Sequence, residues 1–197
     1  HFSSEKIGVV NGVTIMLPEG FFADLQSTEW LTALSIFKLL SFFNVPITAM
    51  GNNMAVRKQA YHEVGGYSQI GFSLVEDYAL FKAVIKQGYS FFQTFETPVL
   101  AKSVPNRSLI NQYKQRKRWM QGAMQIPKPL IALFIFLTAF PLVALGLLTI
   151  IPSLFGMLLL SYFITLSGVS LLAIVCVKQY QLLYTVAFLG PYLSLMN

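Results

Sequence analysis

The chain has 197 residues, of which 55% are hydrophobic and only 11% are charged, with a net charge of +6 at pH 7. This composition is too apolar for an ordinary soluble domain, and a single cysteine, Cys176, excludes a disulfide framework within the chain. The charges are also unevenly placed: thirteen of the fourteen Lys and Arg and all eight Asp and Glu occur by Lys128, whereas residues 129–177 carry none. We therefore expect a soluble part followed by a membrane part.

The first elements predict an α/β domain. Residues 7–17, IGVVNGVTIML, read as a strand. Residues 27–44 predict an amphipathic helix with a cap at Ser27 or Thr28 and Glu29 in its first turn. Packing on the sheet is the favoured position for this helix, and the membrane surface is the alternative.

Further strand and turn signals follow along the chain. Residues 47–67 predict a strand, a helical turn and a Gly-Gly turn, and residues 88–95 predict another strand. The first strand has nothing before it to pair with, and the chain ends within an apolar run. We therefore expect a fragment of a longer protein.

Residues 73–89, SLVEDYALFKAVIKQGY, predict a short amphipathic helix with a carboxylate on its apolar face. Ser73 and Glu76 have the spacing of a capping box. Asp77 instead falls in the middle of the apolar face, one turn before Leu80. A carboxylate there either braces the helix N-terminus or faces a cleft as a candidate general base, and the helix alone favours neither reading.

The segment NQYKQRKRWMQG, residues 111–122, is basic and aromatic. Gln115, Arg118 and Trp119 lie at i, i+3 and i+4, so they share one face of a helix. A guanidinium forms charge-assisted bonds to phosphate oxygens, and an indole offers a flat platform to a sugar ring. This face therefore suits a nucleotide diphosphate and a sugar.

The alternative for the same segment is a juxtamembrane anchor, and the segment alone favours it. Basic residues would contact lipid headgroups while the tryptophan lies in the interfacial belt. We expect Lys114, Arg116 and Lys117 to make such contacts in either case. Four charges beside a membrane span fit lipid better than a nucleic acid, so no nucleic-acid partner is expected.

The uncharged run of 49 residues is long enough for two membrane spans, because about 20 residues cross a bilayer as a helix. The predicted spans are 129–151, 153–177 and an unfinished third at 182–196. Lys178 and the basic segment before Pro129 would then share the cytoplasmic side. A buried hairpin in a large soluble core is the alternative.

Three segments resemble the membrane-bound family 2 glycosyltransferases, which include cellulose, chitin and hyaluronan synthases and ceramide glucosyltransferases. MGNNMAVRKQAYHEVGGY resembles the acceptor-side G-x-N-x-A-x-R segment, VEDYALF the E-D motif and QRKRW the Q-x-x-R-W motif. They occur in the family's order over roughly residues 7–125. The resemblance implies the C-terminal half of a GT-A domain in residues 1–127, followed by transmembrane helices in residues 128–197.

The resemblance also implies the reaction and the site. Members are inverting transferases that use one base, and Asp77 matches that base with Glu76 as its motif partner. The donor would be a UDP-sugar and the acceptor a lipid or a glycan, at the cytoplasmic face of a bacterial inner membrane. The other matching positions, expected to bind donor and acceptor, are Gln115, Arg118, Trp119, Gly51, Asn52 and Asn53.

The resemblance implies Mg²⁺ or Mn²⁺, which the family holds with a D-x-D motif. Asp24 and Asp77 are the only aspartates here, so the motif is absent and no metal ligand is assigned. We expect a missing N-terminal half to supply this site and the fragment to be inactive alone.

The sequence leaves open the length of the product and the class of protein. Arg116 departs from the Q-Q-x-R-W form common in processive members, which favours a single transfer or a short polymer. The alternative from another class is a non-enzymatic membrane protein, either a transporter fragment or an anchored binding module. Transport paths are lined by ionisable groups, and the predicted spans contain none.

Overall fold

A computed structural model describes residues 2–47, 49–73, 75–123, 132 and 151–196. It has a mixed α/β architecture with small sheets and many helices. The described strands are β1 (Ile7–Asn11), β2 (Val13–Met16), β3 (Met54–Val56), β4 (Ser90–Gln93) and β5 (Leu100–Ser103). The described α-helices are α1 (Phe21–Ser41), α2 (Lys58–Glu63), α3 (Gly66–Ile70), α4 (Glu76–Lys86), α5 (Leu109–Ala123), α6 (Pro152–Cys176) and α7 (Val186–Met196).

The strands form two small sheets. In the first, β1 lies between β3, to which it is antiparallel, and β4, to which it is parallel. The second sheet is the parallel pair of β2 and β5. The single strand predicted over residues 7–17 is therefore two strands, which are separated at Gly12. A side chain at residue 12 would overlap the amide of Asn53, so this close approach requires a glycine.

The helix predicted over residues 27–44 begins six residues earlier, at Phe21, and ends at Ser41. The predicted cap is therefore wrong. Ser27 and Thr28 are buried inside the helix, where their hydroxyls donate to the carbonyls four residues earlier at 3.1 and 3.0 Å. Glu29 consequently lies in the body of α1, and its partner must come from elsewhere in the fold.

Helix α1 packs on β2 and also against α6. One buried cluster contains residues from β2, α1, α6 and the segment after α6: Val13, Ile15, Leu31, Leu34, Ala173, Ile174, Val177, Leu182 and Val186. Buried hydroxyls add two cross-links, Thr28 to Thr185 at 2.6 Å and Thr32 to Ser170 at 2.9 Å. Residues on both sides of the predicted boundary at 127 therefore share a core.

The C-terminal helices correspond only in part to the predicted spans. Helix α6 matches the span 153–177 within one residue at each end, and it is the one helix in the described ranges long and apolar enough to cross a bilayer. The span 129–151 lies outside the described residues, apart from 132 and 151. Residues 182–196 hold the end of a 3₁₀ turn (Tyr180–Thr185) and the 11-residue α7. One such helix is weak support for a membrane position, which stays a prediction.

Candidate active site

Asp77 lies in the first turn of α4, which packs on β1 through its apolar face. Val9 of β1 and Phe81 and Val84 of α4 belong to one buried cluster. Asp77 is half-buried, with Oδ2 accepting from the Gly51 N–H at 2.6 Å and Oδ1 accepting from the Tyr78 N–H at 2.7 Å. Two backbone N–H groups therefore orient this carboxylate without enclosing it, and that it faces a cleft as a general base stays a prediction.

The capping box predicted for Ser73 and Glu76 does not form. The helix begins at Glu76 with Val75 as its N-cap residue, and no side chain caps it. Ser73 lies two residues before the cap and accepts a hydrogen bond from the Val75 N–H at 3.2 Å. Glu76 is the first helical residue and is exposed, so its carboxylate is available to a ligand or to solvent.

The Gly-Asn-Asn turn, Gly51–Asn53, forms the surface opposite Asp77. A Cβ at residue 51 would lie 3.1 Å from both Cβ and Oδ2 of Asp77. That is closer than most real contacts, so the absence of a side chain lets the backbone N–H reach the carboxylate. The structure therefore brings together two segments that are 26 residues apart in sequence.

The two asparagines of this turn have different surroundings. Asn53 donates from Nδ2 to the carbonyls of Val13 and Val99, at 2.7 and 2.9 Å. Both amide hydrogens are thus used to fix the turn to β2 and to the 3₁₀ turn Thr97–Val99. Asn52 is exposed, and its Oδ1 accepts from the Thr14 hydroxyl at 3.4 Å. Asn52 is consequently the better placed of the two to contact a ligand.

Tyr67 was not a predicted site residue, although it ends the quoted Gly-Gly-Tyr segment. Its side chain is 47% exposed, and its backbone N–H donates to the Tyr61 hydroxyl at 3.3 Å. Burial and the negative charges of Glu76 and Asp77 raise the pKa of its phenol. Tyr67 is therefore a protonated O–H donor close to the two carboxylates at neutral pH.

The Q-x-x-R-W segment lies on α5, as the spacing predicted. Gln115 is half-buried, and its Oε1 accepts from Asn106 Nδ2 at 2.7 Å. Arg118 is exposed and makes no ion pair or hydrogen bond within the described ranges. Trp119 is half-buried and packs edge-to-face on Trp30, with ring centroids 5.4 Å apart. Arg118 is thus the cation of this motif that is exposed to an anionic ligand.

A small apolar cluster connects α5 to the Gly-Asn-Asn turn. Trp119 and Met50 both pack against the cluster that contains Trp30 of α1. Met50 directly precedes Gly51, whose N–H binds Asp77. The same cluster therefore supports the tryptophan of one predicted motif and the turn that orients the carboxylate of another. That Arg118 faces Asp77 across a shared cavity stays a prediction.

The lipid contact predicted for Arg116 is wrong. Arg116 points inward and forms an ion pair with Glu29, and the two side chains are only 14% and 16% exposed. Burial raises the pKa of the Glu29 carboxyl, and the guanidinium of Arg116 opposes that rise. Lys114 and Lys117 are exposed, as headgroup contacts would require.

The described residues do not fit the Mg²⁺ or Mn²⁺ site that the resemblance implies. Such cations require several oxygen ligands, mainly carboxylates. No group of three His, Cys, Asp or Glu side chains that could hold a metal occurs in the described part of the chain. No step of the reaction is therefore assigned to a metal held by these residues.

Comparison with known proteins gives one match. A family model described as Glycosyl transferase family group 2 matches residues 1–192. The chain belongs to this family. No curated protein and no solved structure matches this glycosyltransferase. Membership supports a transferase rather than a non-enzymatic membrane protein, and it implies a nucleotide-sugar donor and an acceptor; the mixed α/β fold is consistent with a GT-A-like domain.

Proposed function

We propose that this glycosyltransferase is an inverting enzyme that moves a sugar from a nucleotide diphosphate sugar to a lipid-linked or polysaccharide acceptor, with Asp77 as the general base. The observation that carries the proposal is the 2.6 Å hydrogen bond from the Gly51 N–H to Asp77 Oδ2. It joins the predicted acceptor-side turn to the predicted base and leaves the carboxylate half-buried rather than enclosed.

In this proposal the reaction is a single displacement, which needs one base. Asp77 accepts the proton of the acceptor hydroxyl, whose oxygen bonds to the anomeric carbon of the donor. The bond between that carbon and the diphosphate oxygen breaks, and the diphosphate leaves with the electron pair. Each carboxylate oxygen of Asp77 accepts one backbone hydrogen bond and keeps further acceptor capacity for the acceptor's proton.

The other site residues have supporting roles in this proposal. Arg118, with no ion pair within the described residues, stabilises the charge that develops on the leaving diphosphate. Trp119 lines the acceptor entry. Gln115 orients the diphosphate, either directly or by holding α5 in place through its bond to Asn106. Asn52 and Glu76, both exposed, lie at the rim on the acceptor side, while Asn53 fixes the turn from within.

We place the transfer at the cytoplasmic face of a bacterial inner membrane, because α6 has the length and composition of a span and the basic residues precede the apolar run. The donor would be a UDP-sugar, and Mg²⁺ or Mn²⁺ would be held by residues other than those described. Product length after incubation with labelled donor distinguishes a single transfer from a polymer.

The test is Asp77→Asn in the full-length enzyme in membranes, assayed with a panel of radiolabelled UDP-sugars. The amide keeps an oxygen acceptor but cannot take the proton, so transfer should fall by about 10²- to 10⁴-fold, while donor binding is retained. Asp24→Asn is the matched control, since Asp24 is the chain's other aspartate and bonds the Tyr184 hydroxyl instead. Normal turnover by Asp77→Asn would remove Asp77 from the role of base.

A further inference from the structure

Arg116 is the residue of the QRKRW segment that the proposed reaction does not use. It lies on α5 between Gln115 and Arg118, yet its side chain is only 14% exposed and pairs with Glu29 of α1. A charge removed from water in this way is costly unless it is closely paired. The pairing therefore marks Arg116 as a fixed part of the fold, unlike the exposed Lys114 and Lys117.

The ion pair is extended by Tyr192 of α7. The Tyr192 hydroxyl donates to Glu29 Oε2 at 3.0 Å and accepts from Gln112 Nε2 at 3.3 Å. The Arg116 guanidinium lies over the Tyr192 ring, 5.7 Å from its centroid. Three helices, α1, α5 and α7, therefore meet at one buried carboxylate.

The same network reaches a predicted substrate residue through Asn106. Asn106 Nδ2 donates to Gln112 Oε1 at 2.5 Å and to Gln115 Oε1 at 2.7 Å. The backbone of Asn106 is held in turn by the Gln26 side chain, through bonds of 2.9 and 3.0 Å. Buried polar networks with many satisfied bonds select one arrangement of the elements that they join. Here they select the rotation and the depth of α5.

The rotation of α5 determines where Arg118 points. Successive residues of an α-helix are separated by about 100°, so Arg118 lies on the opposite side of α5 from Arg116. With Arg116 fixed inward, Arg118 is directed outward, which is where the structure places it. Trp119, three residues after Arg116, is held at the same time against Trp30.

We propose that Arg116, clamped by Glu29 and Tyr192, is a positioning residue that orients Arg118 and Trp119 for sugar transfer. The inference rests on the proposed function and extends it to a residue that does not touch substrate. A purely structural ion pair would support folding without affecting transfer by the folded enzyme, and this difference can be measured.

The first experiment is a set of transfer assays on the full-length enzyme, normalised to folded protein. Arg116→Gln and Glu29→Gln should each lower kcat/KM for the donor by about 10- to 100-fold, since a misplacement of about 1 Å can have that effect. Lys117→Gln, on the exposed side of the same helix, should leave it unchanged. If either Arg116→Gln or Glu29→Gln fails to fold, Tyr192→Phe, which removes one hydroxyl, takes its place with a smaller loss.

The second experiment combines Arg116→Gln with Arg118→Ala. If Arg116 acts by orienting Arg118 and Trp119, the double variant should lose less than the product of the two single losses, because the part that acts through Arg118 is already absent. Multiplying losses would overturn the proposal, and so would full transfer by folded Arg116→Gln enzyme. Wild-type transfer by Arg118→Ala would instead overturn the role given to Arg118 in the proposed function.

A third measurement is independent of transfer. With 5-fluorotryptophan in the full-length protein, the ¹⁹F resonance of Trp119 is identified by its loss in Trp119→Phe. It should shift or broaden in Arg116→Gln and Glu29→Gln but not in Lys117→Gln, because α5 is no longer held against α1. An unchanged resonance in both variants would overturn the positioning role, whatever the transfer assays give.

Discussion

The two sides of the candidate site are held in place by different means. Asp77 is half-buried and is oriented by backbone N–H groups, one of them from the exposed turn at Gly51. The α5 side is held by buried side chains, with Arg116 and Glu29 at the centre. Substitutions at Asp77 and Gly51 should therefore change transfer with little effect on stability, whereas those at Arg116 and Glu29 should change both.

The largest effect on stability should come from breaking the buried pair. Glu29→Gln and Arg116→Met should each lower the free energy of unfolding by about 3–5 kcal/mol, because each leaves the partner's charge buried and uncompensated. The double variant should lose less than the sum of the single losses. Chemical denaturation of the detergent-solubilised protein measures all three values.

A second ion pair, at the surface, provides the control for these stability measurements. Arg107 and Glu19 lie 3.1 Å apart, but their side chains are 80% and 34% exposed. Arg107→Met should therefore change the free energy of unfolding by less than about 1 kcal/mol. Strictly additive losses at Glu29 and Arg116 would show that the two buried side chains are not coupled. Their ion pair would then not be what holds the α5 side in place.

The next prediction concerns the base side of the site, which is formed by Asp77 and the turn at Gly51. Gly51→Ala places a methyl group 3.1 Å from Asp77 Cβ and Oδ2, so the carboxylate or the turn must move. Transfer should fall by about 10- to 100-fold, while the free energy of unfolding changes by less than about 1 kcal/mol because the site is exposed. Parallel transfer and denaturation measurements separate the two quantities.

Gly168→Ala is the matched control, since a Cβ at residue 168 meets open space in the described structure. It should leave transfer unchanged. If Gly51→Ala unfolded the protein while the remaining folded fraction transferred normally, the turn would be a structural element and not part of the site.

The base side was the easier of the two to predict from sequence. Asp77 interrupts the apolar face of an 11-residue helix, and the amino-acid sequence alone reveals this local irregularity. Strand structure within residues 7–17, the Gly-Gly turn and a mixed α/β fold were also predicted, because alternation and turn residues are local signals. The division of residues 7–17 into two strands was not predicted. Local signals did not reveal that the first helix begins at Phe21. Ser27 and Thr28 resemble capping residues in the sequence, but their hydroxyls donate to carbonyls four residues earlier inside a longer helix.

On the α5 side the sequence predicted the helix, but the ligand-binding role of Gln115, Arg118 and Trp119 stays a prediction. Of these three residues only Arg118 is exposed, whereas Gln115 bonds Asn106 and Trp119 packs on Trp30. The inward role of Arg116 depends on Glu29 and Tyr192, which lie 87 and 76 residues away in sequence, and no local pattern links them. An arginine beside a membrane segment is ordinarily a headgroup contact, so only the tertiary packing distinguishes Arg116 from Lys117.

The smallest effect concerns Tyr67, which lies on the base side but was not a predicted site residue. Its phenol is protonated at neutral pH, since burial and the charges of Glu76 and Asp77 raise its pKa. An O–H donor there can bond to the acceptor or to a carboxylate, and one such bond is worth about 1 kcal/mol. Tyr67→Phe should therefore lower kcat/KM for the acceptor roughly fivefold and leave the free energy of unfolding almost unchanged, because the side chain is 47% exposed.

The control for Tyr67→Phe is Tyr89→Phe, which removes a hydroxyl bonded to Glu63 at 2.8 Å. Tyr89 follows the C-terminal end of α4, whereas Asp77 lies in its first turn. Tyr89→Phe should transfer at the wild-type rate. Equal losses in the two variants would mean that tyrosine hydroxyls near carboxylates act through general stability. A loss confined to Tyr67→Phe would instead add a side-chain hydrogen-bond donor to the groups that act beside Asp77.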